Sequence, residues 1–346
     1  MSEHLLDVQN LRVSFDTYAG EVQAVRGVSF YIDKGETLAI VGESGCGKSV
    51  SIQTVMGLLP MPPARIKEGH IYYEGKDLTT LTDKQMENYR GKEFSMIFQD
   101  SMTSLNPTMR VGRQMCEGIL RHQRVSRQEA QQISAELLGQ VGLPNPELVA
   151  KRYPHTMSGG QRQRVMIAMA MACNPKILFA DEPTTALDVT MQAQILDLMN
   201  HLKEKRGTSI LLITHDLGVV AKMADRIAVM YAGKIVEYGD ARQVFYRPSH
   251  PYTWGLLGAM PNLIQDVKSE LYAIPGTPPD LYAPPKGCAF AARCPYAMEA
   301  CLKEDPPEFA CGQGHGSRCW LLDPRAPDVT PPEGIPPLPK GGSDHV

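Results

Sequence analysis

The most informative stretch of this 346-residue sequence is Gly42-Glu43-Ser44-Gly45-Cys46-Gly47-Lys48-Ser49. It has the pattern G-x-x-x-x-G-K-S, in which glycines let backbone N–H groups turn inward around a phosphate. The apolar run from Thr37 to Val41 predicts a buried strand before it, and the run from Val50 to Leu59 predicts a helix after it. Lys48 is expected to reach the β- and γ-phosphates and Ser49 to bind Mg²⁺. The stretch therefore predicts a nucleoside triphosphate site.

Composition and charge narrow the class of protein. Hydrophobic residues make up 43% of the chain, as in globular proteins with a real core, and the length favours two domains. A net charge of −3 provides no basic field, so nucleic acid is not expected as a partner. The most apolar run, Val165 to Cys173, is shorter than the roughly 20 residues of a membrane-spanning helix. Without a visible export signal we expect a cytosolic chain, whose cysteines serve as thiols or ligands rather than disulfides.

Four polar side chains directly follow predicted apolar strands: Gln99, Asp181, Glu182 and His215. The amide of Gln99 and the carboxylate of Asp181 suit Mg²⁺, and Glu182 is suited to orient or deprotonate an attacking water. A histidine at a strand end is either structural or a sensor of the γ-phosphate. Because these strands are predicted to end at the same sheet edge as Lys48, the second interpretation gains weight for His215.

Two other regions around this core carry weaker signals. Residues 5–40 alternate in β fashion and include Phe15, an aromatic that either stacks on a base or packs in the core; spacing alone favours packing. Residues 110–150 have a helical pattern, with an amphipathic segment from Gln128 to Val141 that predicts a peripheral helical subdomain.

Ser158-Gly159-Gly160-Gln161 opens a second apolar helix with a glycine-rich turn. Backbone N–H groups at such a helix start again favour an anion. One nucleotide seldom needs two such sites, so this turn is predicted to contact a nucleotide held by another subunit.

The chain after Gly239 changes in composition, with dense Pro and Gly. Five of the eight cysteines fall within this part: Cys288, Cys294, Cys301, Cys311 and Cys319. Such a cluster in a cytosolic chain favours a metal site, but no C-x-x-C pair occurs. From spacing alone an iron–sulfur cluster, a zinc site and free thiols all remain open.

Taken together, these stretches resemble the nucleotide-binding subunit of ATP-binding-cassette (ABC) transporters over about residues 5–245. The resemblance implies an α/β fold, a P-loop NTPase (RecA-like) ABC cassette with an antiparallel β subdomain. It places the cassette over 1–245, with a helical subdomain at about 100–165. The family's parts occur in family order: Walker A loop Gly42 to Ser49, Q-loop Gln99, signature Ser158 to Gln161, Walker B pair Asp181 and Glu182, D-loop Ala186 to Asp188, and H-loop His215.

The family pattern also implies a mechanism, in which two cassettes face each other head to tail. ATP then lies between the Walker A loop of one and the signature of the other. The implied catalytic residues are Glu182 as general base, His215 and Gln99, and the implied Mg²⁺ ligands are Ser49, Gln99 and Asp181. The implied nucleotide contacts are Phe15 (on adenine, with Tyr18 second), Gly42, Ser44, Gly45, Cys46, Gly47, Lys48, Ser49, Asp181, Ser158, Gly159, Gly160, Gln161 and Asp188.

Residues 246–330 resemble the C-terminal region of oligopeptide/dipeptide permease ATPases. The similar stretches are Ser249 to Thr253, Gly287 to Phe290, and Arg293 to Ala297. Some members carry a [4Fe–4S] cluster there, and the residues matching its ligands are Cys288, Cys294, Cys301 and Cys319, with Cys311 extra. Residues 331–346 are expected to form a flexible tail.

This resemblance implies an ATP hydrolase that powers a bacterial importer of oligopeptides or dipeptides. The sequence looks most like the D subunit of such an oligopeptide permease. That subunit pairs with a second ABC ATPase, the F subunit, and with two transmembrane permease subunits. An extracytoplasmic peptide-binding protein acts through the complex, and the ATPase is peripheral on the cytoplasmic side of the inner membrane. An importer of nickel or another solute is the alternative. A non-transport ABC ATPase is less favoured, because the sequence has no coiled-coil insertion, zinc module or second cassette.

Overall fold

The structure is a computed structural model that describes residues 4–99, 104–185, 187–260, 274–333 and 335–339. The chain divides into two compact units. Unit 1 consists of Met1–Tyr31, Leu38–Thr79 and Thr214–Val346, and unit 2 of Ile32–Thr37 and Thr80–Ile213. In the described part of the chain, no helix has both the length and the apolar character needed to cross a membrane.

The secondary structure alternates between strands and helices along much of the chain. The strands are Leu6–Thr17 (β1), Gly20–Ile32 (β2), Thr37–Val41 (β3), Ala64–Tyr73 (β4), Lys76–Asp77 (β5), Phe94–Ile97 (β6), Ile177–Asp181 (β7), Ser209–Thr214 (β8), Arg226–Tyr231 (β9), Lys234–Asp240 (β10), Phe309–Gly312 (β11) and His315–Ser317 (β12). The helices are Lys48–Val55 (α1), Asp83–Met86 (α2), Val111–His122 (α3), Arg127–Gln140 (α4), Pro146–Ala150 (α5), Gly159–Ala170 (α6), Val189–Arg206 (α7), Leu217–Met223 (α8), Ala241–Tyr246 (α9), Pro251–Gly258 (α10) and Glu299–Lys303 (α11).

Unit 1 contains the predicted antiparallel β subdomain, a sheet with the order β2-β1-β4-β5. Leu6 of β1 lies opposite Tyr73 of β4, so apolar side chains at alternate positions share one buried face. Glu74 and Gly75, both with positive φ, form the tight turn from β4 to β5.

Unit 1 also contributes strands in the order β11-β12-β10-β9-β3 to a second sheet. All five residues of β3 are buried, and this strand runs parallel to β9. Continuous apolar character is typical of a strand covered on both faces, which explains why β3 reads as an uninterrupted run in the sequence. The strand positions the phosphate loop that follows it.

Unit 2 contains the parallel strands β6, β7 and β8 and the predicted helical subdomain, α3 to α5. The amphipathic segment forms α4, which begins at a capping box between Ser126 and Glu129. Leu137 and Leu138 are buried on its inner face. The fold prediction is thus confirmed, with helices and a parallel sheet as expected for a cassette.

Two helices end earlier than the sequence pattern predicts. Helix α1 stops at Val55 rather than continuing to Leu59, because Gly57 takes a left-handed φ of 62° and prolines follow. Helix α6 begins at Gly159 and ends at Ala170, short of Cys173.

The C-terminal extension has a small apolar core of its own in unit 1, formed by Trp254, Cys319, Leu321 and Leu322. Ile335 and Leu338 pack against this core. Each of these two side chains thereby removes apolar surface from water, and the flexible tail over 331–346 stays a prediction. Residues 334 and 340–346 lie outside the described residues.

Candidate nucleotide-binding site

The phosphate loop of unit 1 joins the end of β3 to the start of α1. Two glycines permit its path: a Cβ at Gly42 would lie 2.1 Å from the Met230 carbonyl oxygen, and one at Gly47 would lie 2.4 Å from the Ala24 carbonyl oxygen. Both glycines also have positive φ, at 154° and 103°. The loop is therefore held against β9 and β2 by backbone contacts that no other residue type allows.

Lys48 is the first residue of α1 and its side chain is buried. Its ammonium group donates to the carbonyl oxygens of Gly42, at 2.7 Å, and Glu43, at 2.8 Å. The Cys46 sulfur lies 3.8 Å from the same nitrogen, and burial raises the pKa of that thiol. Ser44 and Gly45 are exposed at the tip of the loop, and Ser49 is half-buried. The positively charged ammonium group of Lys48 thus lies close to the backbone N–H groups at the helix N-terminus. Such an arrangement is suited to binding phosphates.

In unit 2, the carboxyl ends of β6 and β7 bring together the predicted Q-loop and Walker B side chains. The parallel register aligns Ile97 with Ala180, so Gln99 and Glu182 both lie just beyond the same sheet edge. The Gln99 amide nitrogen donates to Glu182 Oε2 at 2.9 Å, and the Thr185 hydroxyl donates to the same oxygen at 3.0 Å. Asp181, the last residue of β7, is buried with 5% of its surface exposed. Two carboxylates thus occupy different environments at adjacent positions.

The predicted signature is the start of α6 in unit 2. Ser158 caps this helix, accepting from the Gln161 backbone N–H at 3.3 Å, while the Gln161 side chain accepts from the Ser158 N–H at 3.2 Å. Gly160 packs against α7, where a Cβ in its place would meet the terminal methyl group of the flexible Met191 side chain. Ser158 is exposed and Gly159 is half-exposed. This glycine-rich helix start therefore presents a polar surface, as the predicted contact with a second nucleotide requires.

The remaining predicted residues have simpler surroundings. His215 is exposed directly after β8, and Asp188 caps α7 by accepting from the Met191 N–H at 2.8 Å. Ala186 of the predicted D-loop lies outside the described residues. Phe15 is half-buried near the end of β1, whereas Tyr18 is fully exposed. The roles of these residues at a nucleotide stay predictions.

All eight cysteines are free thiols, and four of those in the extension are electrostatic neighbours. Burial raises the pKa of Cys288 to about 11 and of Cys294 to about 12, and it also raises the pKa of Cys319 well above its usual value. Charge on Cys288, Cys294 or Cys301 disfavours ionisation of Cys319 as well. Cys311 differs, because burial raises its pKa to about 11 but its charged neighbours are Glu237 and Glu308.

Among the residues that the structure describes, no group of three or more His, Cys, Asp or Glu side chains is arranged to hold a metal ion. The structure therefore gives no support of its own to a metal ion at the cysteines, and the iron–sulfur assignment stays a prediction.

Sequence reasoning missed several residues that support the site. Gln163 of α6 donates its side-chain N–H to the Pro183 carbonyl at 2.5 Å, next to Glu182. Glu43 of the phosphate loop contacts two residues of the C-terminal extension, Tyr252 and Arg293. No local pattern marks these residues, because each acts through a partner that is distant along the chain.

A cavity of about 1300 Å³ opens elsewhere in unit 2, among α3, α4 and α5. Its lining includes Met109, Cys116, Leu120 and Tyr153. The lining residues, all in the described part of the chain, include none of the predicted nucleotide ligands. The cavity thus belongs to the helical subdomain and not to the phosphate site.

Comparison with known proteins agrees with this geometry. Residues 25–185 match the family model described as ABC transporter, and residues 236–301 match the model described as the C-terminal region of oligopeptide/dipeptide transporters. The dimeric post-hydrolysis structure of the ATP-binding cassette MJ0796, bound to ADP and Pi, superposes with a TM-score of 0.62 at 28% identity. That match covers 68% of this chain and 99% of the other. Fold and motifs together define an ATP-binding-cassette ATPase.

Curated relatives narrow the class further. The chain is 60% identical over 331 residues to the oligopeptide transport ATP-binding protein OppD of Bacillus subtilis (strain 168), covering 96% of this chain and 92% of that protein. It is 56% identical over 325 residues to the dipeptide transport ATP-binding protein DppD of the same organism, covering 94% and 96%. The chain belongs to the family of oligopeptide and dipeptide transport ATP-binding proteins.

Proposed function

We propose that this protein is the ATP-hydrolysing subunit of an importer for oligopeptides or dipeptides. The observation that carries the hydrolytic part is the carboxylate of Glu182, oriented by Gln99 and Thr185 just beyond β7. The peptide part is supported by relatives named for oligopeptide or dipeptide transport at 60% and 56% identity. An importer of nickel or another solute is the alternative.

In this proposal the chain's own residues divide the chemistry of ATP hydrolysis. Lys48 and the loop N–H groups bind the β- and γ-phosphates. Glu182 accepts a proton from the water that attacks the γ-phosphorus, as the bond to the bridging oxygen breaks and ADP leaves. His215 contacts the γ-phosphate, and Phe15 stacks on adenine. Mg²⁺, held through oxygen atoms of Ser49, Asp181 and Gln99, supplies positive charge against the phosphate oxygens.

We further propose that the signature serves a nucleotide bound by a second cassette. The exposed start of α6 supports this role, and the relative MJ0796 was solved as a dimer. The second cassette is an F-type ATPase subunit, which makes the pair a heterodimer. ATP binding then closes the pair and hydrolysis releases it, converting phosphate contacts into movement.

Two transmembrane permease subunits complete the assembly, with an extracytoplasmic protein that delivers peptide. The cavity among α3, α4 and α5 supports membrane-subunit docking, because it offers a concave, partly apolar surface within the helical subdomain. The protein is then peripheral, on the cytoplasmic face of the inner membrane.

The test is reconstitution of the purified complex in lipid vesicles with the peptide-binding protein. We expect uptake of a labelled oligopeptide or dipeptide that requires ATP on the face where this chain lies. Uptake of nickel without uptake of peptide would show that nickel, and not peptide, is the substrate. Tight ribosome or DNA binding without membrane partners would overturn the transport role.

We also propose that Cys288, Cys294, Cys301 and Cys319 hold a [4Fe–4S] cluster. The support is the chemistry of the residues, because cysteine thiolates are the usual ligands of such clusters and these four thiols, two buried and two half-buried, lie in one segment of unit 1. When bound, the cluster supplies either a structural cross-link or an electron site. Cys311 is not a ligand in this proposal, because only the other four cysteines match the pattern of the family.

Iron and sulfide analysis of protein purified without oxygen tests this proposal. We expect about four of each per chain, lost in Cys294→Ala and retained in the matched variant Cys311→Ala. Zinc in place of iron, or iron retained in Cys294→Ala, would refute the assignment.

A further inference from the structure

Glu43 of the phosphate loop is bound by the C-terminal extension at both its carboxylate and its backbone. Arg293 Nη1 lies 2.7 Å from Glu43 Oε2, and Nη2 lies 3.0 Å from Oε1, so the ion pair is bidentate. The Glu43 N–H donates to the hydroxyl of Tyr252 at 2.9 Å. The Arg293 side chain is 6% exposed and the Glu43 side chain 26%, so the pair is largely sheltered from solvent screening.

Arg293 is itself held firmly. Its Nε donates to the Pro275 carbonyl oxygen at 2.8 Å, and its Nη1 donates to the Tyr231 hydroxyl at 3.2 Å. It ends the short 3₁₀ turn Ala291–Arg293 of the extension. Its guanidinium is therefore held by contacts besides that with Glu43, so the ion pair itself costs little additional side-chain entropy.

Tyr252 is equally well fixed, in the first turn of α10. Its ring is fully buried, with its centroid 4.6 Å from that of Tyr231 and 5.4 Å from that of Phe290. The hydroxyl that faces Glu43 thus sits on a rigid aromatic cluster made by β9 and the extension.

The link continues from Glu43 to the residue that binds phosphate. The Glu43 carbonyl oxygen accepts from the Lys48 ammonium at 2.8 Å. One residue therefore joins the extension, through its carboxylate and N–H, to Lys48, through its carbonyl. A change in the position of Glu43 would shift both the loop backbone and the Lys48 charge.

We infer that the C-terminal extension acts as a brace that holds the phosphate loop in its nucleotide-binding shape, through Arg293 and Tyr252 acting on Glu43. These are positioning residues, since they act through Glu43. The inference rests on the proposed function only in taking the loop to bind ATP. Physically, a glycine-rich loop samples many shapes, and restricting it before the nucleotide arrives lowers the entropic cost of binding.

The test is equilibrium binding of MgATP to the full chain by titration calorimetry. We expect Glu43→Gln and Arg293→Ala each to raise the MgATP dissociation constant about tenfold. This is the effect of a variant in which only about a tenth of the molecules have the loop in its binding shape. Tyr252→Phe removes one hydrogen bond and is expected to weaken binding less. Arg325→Ala is the matched control, because Arg325 is 87% exposed in an ion pair with Asp323 of the same extension.

Further variants separate positioning from a merely structural role. The double variant Glu43→Gln/Arg293→Ala is expected to bind as weakly as either single variant, because all three break one contact. Arg293→Lys, which keeps the charge and loses the bidentate fork, is expected to recover part of the affinity. A merely structural pair would lower the melting temperature and leave the MgATP dissociation constant of the folded chain unchanged.

The possible outcomes are distinguishable. Wild-type affinity in both Glu43→Gln and Arg293→Ala overturns the brace, while loss of binding in Lys48→Ala shows that the loop still binds ATP. If Arg293→Ala fails to fold, Glu43→Gln decides, since it keeps the shape of the side chain. A wild-type chain that does not bind MgATP refutes the proposed function and the brace together.

Discussion

At the scale of single residues, Glu182 combines an unusual backbone with a well-defined side chain. Its φ of 47° lies in the left-handed region, which costs a non-glycine residue about 1–3 kcal/mol. Its N–H is nevertheless bonded to the Ile213 carbonyl at 2.8 Å, and its carboxylate to Gln99 and Thr185. These contacts thus hold both the backbone turn and the carboxylate of Glu182 in place just beyond β7.

Glu182→Gln should therefore abolish hydrolysis and preserve ATP binding. The amide keeps the size of the side chain but accepts no proton, so turnover should fall by about 10²–10⁴-fold. Phosphate release by the assembled complex and MgATP titration of the chain measure the two effects. Glu204→Gln, at an exposed position of α7, is the control, and normal turnover in Glu182→Gln would exclude Glu182 as the base.

His250 makes stability depend on pH. Burial lowers its pKa to about 3, whereas an unfolded histidine has a pKa of about 6.5. Between pH ~6.5 and pH ~3 the unfolded chain binds a proton at this histidine and the folded chain does not. The free energy of unfolding is therefore unaffected by this group above pH ~6.5 and decreases as the pH falls toward ~3. Within that range, this group changes the free energy of unfolding by up to about 1.4 kcal/mol per pH unit.

Urea unfolding at about pH 7.5 and pH 5.5 measures this effect. In wild type, His250 accepts a hydrogen bond from the Tyr252 N–H at the start of α10, and the asparagine of His250→Asn can still do so. Asparagine does not titrate, so it adds no pH dependence. From pH 7.5 to pH 5.5, the free energy of unfolding should fall by about 1 kcal/mol less in His250→Asn than in wild type. The exposed His201→Asn should behave like wild type, and an equal pH dependence in His250→Asn would contradict the assignment.

At the scale of elements, α3 shows how packing decides the cost of a helical glycine. At Gly112, an added Cβ would meet the carbonyl oxygen and the Cβ of Ala150 in α5, both at 2.9 Å. At Gly118, on the exposed face of the same helix, no atom lies within 4 Å of such a Cβ. The first glycine therefore allows α3 and α5 to pack, and the second weakens the helix without a packing role.

The two alanine substitutions should consequently have opposite signs. Gly118→Ala should stabilise the protein by about 0.5–1 kcal/mol, the usual gain in a helix interior. Gly112→Ala should destabilise it by about 1–3 kcal/mol through overpacking against backbone. Denaturant unfolding curves of the two variants decide the matter, and a gain at both sites would show that the α3–α5 contact relaxes freely.

At the scale of the whole molecule, one buried carboxylate joins the cassette sheet to the C-terminal extension within unit 1. Glu237 of β10 is 0% exposed. It accepts hydrogen bonds from the Ser249 N–H at 2.6 Å and the Thr253 hydroxyl at 2.6 Å, both near the start of α10. It also accepts from His315 Nε2 of β12 at 2.9 Å. Such a fully bonded acceptor fixes three segments relative to one another.

Glu237→Gln should accordingly destabilise unit 1 by about 3–5 kcal/mol, because the amide turns a donor toward buried donors. The control is Glu308→Gln: the Glu308 side chain is 46% exposed and pairs with Arg318, and an amide oxygen can still accept from the Tyr238 hydroxyl, so the change should cost less than about 1 kcal/mol. Thermal unfolding monitored by circular dichroism compares the two. A small loss for Glu237→Gln would mean that the network rearranges around the amide.

The sequence alone determined the features that depend on short stretches of chain. The phosphate loop is recognisable because its glycines, lysine and serine act through backbone geometry within eight residues. Strands β3 and β7 are recognisable because burial on both faces requires continuous apolar runs. The carboxylates of Asp181 and Glu182 at the end of β7 follow from the same reasoning, since strand ends in a parallel sheet share an edge.

Only the tertiary structure decided which distant residues meet. Arg293 and Glu43 are 250 positions apart, and no spacing or periodicity marks such a pair. The packing of Ile335 and Leu338 on Trp254 and its neighbours is of the same kind. The physical reason is that a long-range contact depends on the path of the whole chain, whereas a loop or a strand depends on its immediate neighbours.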